Sequence, residues 1–72
     1  YKDAMPYLYK ACEKDPLNEE LYAMLMQLYI KAGYPSKAIQ TYRVAEKNLK
    51  KELSISPGPK LRELARIAGL KI

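Results

Sequence analysis

Apolar side chains return at every third or fourth position along this chain, in four runs separated by proline-bearing breaks. Ala4, Leu8 and Ala11 mark a stripe in the first run. Leu21, Leu25, Leu28 and Ala32 mark the second, flanked by Tyr22, Met26 and Tyr29. The third carries Ala38, Tyr42, Ala45, Leu49 and Leu53, and the fourth Leu61, Leu64, Ala65 and Ala68. Such spacing gathers apolar groups on one side of a helix and leaves the other side polar. No stretch alternates with the period of two that a half-buried strand needs, so no strand is predicted. The breaks are "KDPLNEE" at 14–20, "KAGYPSK" at 31–37 and "SISPGPK" at 54–60. They divide the chain into helices over about 2–14, 18–32, 35–53 and 59–69. Links this short turn each helix back along the one before it, giving an all-α fold of about four antiparallel helices.

The predicted boundaries have physical causes. Asn18 suits an N-cap, where its side-chain oxygen meets an orphan amide, and Glu19 and Glu20 then sit at the positive end of the second helix. Gly33 can adopt the left-handed backbone that closes a helix after Ala32. Pro35 and Pro59 suit first helical positions, where a missing N–H costs nothing.

Length and charge narrow the function classes. Seventy-two residues make one small domain, which buries only about 60% of its unfolded surface. With 49% hydrophobic and 29% charged residues the chain predicts a globular fold rather than disorder. No apolar run reaches the length of a membrane span and no signal peptide opens the chain, so the expected compartment is a reducing cytoplasm. The lone Cys12 fits that compartment and reads as a small buried hydrophobe. There is no histidine, no cysteine pair for zinc and no glycine-rich phosphate loop. Neither catalysis, a cofactor, a metal nor a small-molecule ligand is expected. The net charge of +5 is uneven: up to Ser36 there are four Lys against five acidic residues, and from Lys37 onward nine Lys or Arg against three Glu. That asymmetry points to an acidic protein surface or nucleic acid as a partner.

Shifting Ala38, Tyr42 and Ala45 back by 34 positions lands on Ala4, Leu8 and Ala11, so a small–large–small triad recurs at the period of a tetratricopeptide repeat. The triads are similar to the second helix of that repeat. Tyr22, Leu25, Met26 and Tyr29 resemble its first helix, with Met26 where glycine or alanine is usual. "DPLN" at 15–18 looks like the junction between repeats, with Pro16 ending one of them. The pieces "DPLNEELY", "LMQLYIKAG", "AIQTY" and "LKKELSISPGPKLREL" together resemble the bacterial transcriptional activator domain. This is the tetratricopeptide-like module that follows a winged-helix DNA-binding domain in antibiotic-regulatory-type activators. The resemblance spans roughly residues 4–68 and implies antiparallel hairpins wound into a right-handed superhelix. It also implies that the chain is cut from a longer regulator whose DNA-binding domain lies upstream. Ser54 stands where family members carry glycine, which argues against a left-handed helix end there, while Ile55 and Pro57 fit the pattern.

Two surfaces follow. By the repeat analogy, Glu20, Ala23, Met24, Gln27, Ile30 and Lys31 line a protein-contact groove. Ala23 and Gln27 replace the Lys-and-Asn constellation of repeats that clamp a peptide carboxylate, so no clamp is expected. Arg43, Lys47, Lys50 and Lys51 form a basic face on the third helix. Glu46 and Glu52 among them predict a solvated face laced by helical ion pairs rather than a phosphate track. The expected function is a non-enzymatic regulatory contact, made with a second copy, with the chain's own DNA-binding domain or with the transcription machinery. DNA would be read by the domain missing from this chain. A generic tetratricopeptide adaptor, binding a peptide or protein in an unrelated complex, is the alternative reading of the residues.

Overall fold

The computed structural model describes residues 3–71, and within them the chain forms four α-helices: α1 Ala4–Lys14, α2 Glu19–Lys31, α3 Pro35–Leu53 and α4 Pro59–Ile67. The first helix begins two residues later than its apolar spacing predicts, and Lys2 lies outside the described residues. No strand occurs among the described residues.

Local chemistry explains the boundaries. The Asn18 side-chain oxygen accepts a 3.0 Å bond from the Glu20 N–H, and Asn18 Nδ2 donates to Asp15 at 3.1 Å. The "DPLN" turn is thereby closed and α2 started in one motif. At the far end of α2, Gly33 has φ +88°, a left-handed backbone that costs a glycine nothing. It lets the Tyr34 N–H reach the Tyr29 carbonyl at 2.7 Å. Pro35 and Pro59 occupy the first turns of α3 and α4.

Two expectations about the C-terminal third are corrected. Ser54 does take the left-handed conformation, with φ 56° and ψ 35°. Its N–H closes on the Lys50 carbonyl at 3.0 Å, so the helix ends in the geometry that glycine would favour, built without one. Leu53 faces outward and is 49% exposed. The cause is length: α3, with 19 residues, outruns the 13-residue α2 by about 9 Å, and its last turn projects beyond the cover of its neighbours. Ile55 is likewise exposed, and the buried residue of the connector is Pro57.

The core is a single cluster drawn from every helix: Leu8 and Cys12; Tyr22, Leu25 and Met26; Ala38, Tyr42 and Ala45; Leu61 and Ala65. Leu21, Leu28, Ile30, Leu64 and Leu70 pack around it, half-buried. Ala38 and Ala45 are fully enclosed, as small side chains must be where two helices approach closely. Their partners at the 34-residue offset are less buried: Ala4 is exposed and Ala11 half-buried. The reason is topological. No α-carbon of α1 comes within 8 Å of one in α3 or α4, so α1 has α2 as its one helical neighbour, whereas α3 is flanked by α2 and α4.

Two polar contacts set how the helices stack. The Tyr22 hydroxyl donates to the Pro16 carbonyl at 2.8 Å and accepts from Asn48 Nδ2 at 3.0 Å. The Glu19 carboxylate accepts from the Gly58 N–H at 2.7 Å, joining the first turn of α2 to the N-cap of α4. A Cβ at position 58 would lie 3.0 Å from Glu19 Oε1, so glycine permits that approach. Beside it, Lys60 and Glu20 form an exposed 3.3 Å ion pair.

Candidate protein-contact surface

On α2, positions 20, 24, 27 and 31 follow one another at helical spacing along a single stripe. Met24 is 44% exposed, and Gln27 and Lys31 are exposed beyond it along the stripe. They meet α1 across a groove of about 290 Å³ whose other wall is Ala4 and Leu8, with Leu28 at the base. Three of the six predicted groove residues are thus gathered on one open surface.

The other three lie elsewhere. Glu20 is on the same stripe but reaches toward α4, where it pairs with Lys60. Ala23 is 1% exposed and sits beneath the surface, one turn after Glu19 on the side of α2 that approaches α4. Ile30 is half-buried against the core. The inner half of the predicted face is covered because α4 packs on α2, an inter-helix relationship that α2's own periodicity does not contain.

The basic face is solvated. Arg43, Lys47, Lys50 and Lys51 are all exposed on α3. The expected helical ion pairs with Glu46 and Glu52 do not form: among the described residues the ion pairs are Lys60–Glu20 and Arg66–Glu63. The ring of Tyr42 is buried, which raises its phenol pKa; Glu46 adds to the rise, while Arg62 and Arg43 oppose it.

A second opening was not legible in the sequence. Because α1 and α3 stand apart, a trough runs between them with α2 as its floor. Its larger part, about 670 Å³, is lined by Met5, Pro6, Tyr9, Tyr29, Tyr34 and the stem of Lys37, with Lys31 and Ala32 at its edge. It continues for about 290 Å³ past Cys12, Glu13, Tyr22 and Val44. Lys37 Nζ lies 5.4 Å from the centre of the Tyr34 ring and 6.0 Å from that of Tyr29, within cation–π range. One sequence signal did exist. Lys37 occupies the first turn of α3, where the helix dipole favours an acid rather than a base.

No group of three or more His, Cys, Asp or Glu side chains is close enough to hold a metal among the described residues. Burial raises the Cys12 thiol above its ordinary value of 9.0, which disfavours the reactive thiolate. None of the helices is long and apolar enough to cross a membrane.

Comparison with known proteins bears on the same residues. No curated protein and no solved structure matches the chain. The family model of the bacterial transcriptional activator domain matches residues 1–67, which takes in the "DPLN" junction, both small–large–small triads and the "SISPGP" connector. By that match the chain belongs to the bacterial transcriptional activator domain family, a regulatory domain of transcription activators.

Proposed function

We propose that this domain is a protein-contact module of a bacterial transcription activator, engaging its partner along the groove between α1 and α2. The exposed Met24, followed along its stripe by Gln27 and Lys31 and facing Ala4 and Leu8, is the observation that carries this reading. An apolar centre with a polar rim is the anatomy of a transient protein interface. Partners of the right kind are a second copy of the chain, the activator's own DNA-binding domain and the transcription machinery. Base-specific DNA contacts belong to a domain outside these residues, and action at promoters places the protein in the cytoplasm. Further repeats of this shape would extend the stack into a right-handed superhelix. The basic face of α3 adds only weak, non-specific attraction to DNA, steeply dependent on salt.

Met24→Glu in the full activator tests the reading. A charge there leaves the core untouched and disrupts an apolar contact. Reporter transcription is expected to fall at least about tenfold, equivalent to about 1.4 kcal/mol of contact energy, with the helical circular dichroism of the domain unchanged. Unaltered transcription from a folded Met24→Glu protein would rule the groove out. Sedimentation of the same variant separates self-association from contact with another protein, because a lost dimer shows as a smaller species.

A further inference from the structure

We infer that the trough between α1 and α3 is a docking site for an acidic peptide segment carrying an aromatic or long aliphatic anchor. The inference deepens the reading of the domain as a contact module and rests on it, but concerns the opposite side of α1 from Met24; Lys31, at the end of α2, borders both openings. Charge and chemistry define the occupant. The larger part of the trough has an apolar lining of tyrosine rings, methionine and proline, and its charged groups are Lys31 and Lys37, with no carboxylate. Neither lysine forms an ion pair among the described residues. Lys37 is instead held over two tyrosine rings, an arrangement that keeps a cation beside an apolar pocket without neutralising it. A carboxylate entering this larger part, away from Glu13 in the continuation, therefore meets two uncompensated ammonium groups next to a site for a hydrophobic side chain. Tyr9 and Tyr34 are both at least half exposed, so the trough is open along its length, as an extended chain requires and a buried small molecule does not.

The same residue types can bind single-stranded nucleic acid by stacking bases on tyrosine. Here the ammonium of Lys37 occupies the ring faces of Tyr29 and Tyr34 where bases would stack. Two lysines are also too few to follow a phosphate backbone. The geometry favours peptide.

The chain contains no tryptophan, so a short peptide with one Trp flanked by Asp and Glu reports its own binding through Trp fluorescence. Titrating the 72-residue chain into this probe is expected to give a saturable emission shift. Lys37→Glu should weaken binding at least about tenfold. The substitution is safe for the fold, because an acid in the first turn of α3 suits the helix dipole. Tyr29→Ala and a probe with Asn and Gln replacing the acids should weaken it comparably, and Lys47→Glu on the basic face should leave it unchanged. The assignment is overturned by absence of saturation, by equal losses from Lys37→Glu and Lys47→Glu, or by tighter binding of oligothymidine than of the peptide. Loss of transcription in Met24→Glu without any peptide binding would sink the trough and leave the α1–α2 groove standing.

Discussion

Asn48 donates a 3.0 Å hydrogen bond to the Tyr22 hydroxyl, which in turn donates to the Pro16 carbonyl at 2.8 Å. Three separate parts of the chain, the inter-repeat turn, α2 and α3, are joined through one phenol oxygen. Tyr22→Phe keeps the buried ring and deletes that oxygen, stranding two partly buried partners. It should cost about 1–2 kcal/mol in urea denaturation. Asn48→Ala should cost less, since Tyr22 keeps its bond to Pro16. The double variant should fall short of the sum by at least about 0.5 kcal/mol. Strict additivity would mean that the two bonds are independent.

Ser54 is held in a left-handed backbone at the end of α3, where a side chain costs about 1–2 kcal/mol relative to the right-handed alternative. Ser54→Gly should recover roughly 0.5–1 kcal/mol, net of the greater freedom glycine has when unfolded. For a domain of this size the melting temperature should rise by about 2–8 °C. A lower melting temperature would show that the serine makes a compensating contact.

Ala45 is fully enclosed on α3, in the second of the two small–large–small triads. Ala45→Leu must wedge neighbouring helices apart and should cost about 1–3 kcal/mol. The same change at Ala4, which is exposed on α1, should be within about 0.5 kcal/mol of neutral. Equal effects at the two sites would contradict the unequal burial of the triads.

Alkali should destabilise the domain in steps. Burial raises Cys12 above its ordinary 9.0. It also raises Tyr22, Tyr29 and Tyr42 above 10.0, and for Tyr22 the bond from Asn48 opposes the shift. Each group holds its proton more tightly folded than unfolded. The resulting stability is complete below the unfolded value and drains away as pH rises through the higher folded one. The urea midpoint should therefore be flat up to about pH 8.5 and fall above it, first through the thiol and then through the phenols. Cys12→Ala should remove the earliest part of that decline.

Much of this fold was legible because its signals are local. Proline at the start of α3 and α4, Asn18 before α2 and Gly33 after it each act within a few residues, and apolar spacing marks the buried face of a helix directly. What was not legible depends on neighbours. The outward turn of Leu53 comes from α3 being longer than α2, and the burial of Ala23 from α4 lying against it. Ser54 departs from expectation for a different reason: a backbone requirement imposed by helix closure overrides the preference of the side chain. The Met24, Gln27 and Lys31 stripe was visible as helical spacing. The trough was not, since it exists only where α1 and α3 fail to meet.

That gap has a mechanical meaning. Helix α1 is fastened along one seam, to α2, while α2, α3 and α4 brace one another in a triangle. Leu8 and Cys12 seat α1 in the core, and its two free flanks become the walls of the two openings. One helix thus bounds both surfaces, so a substitution that shifts its seat on α2 reshapes both at once.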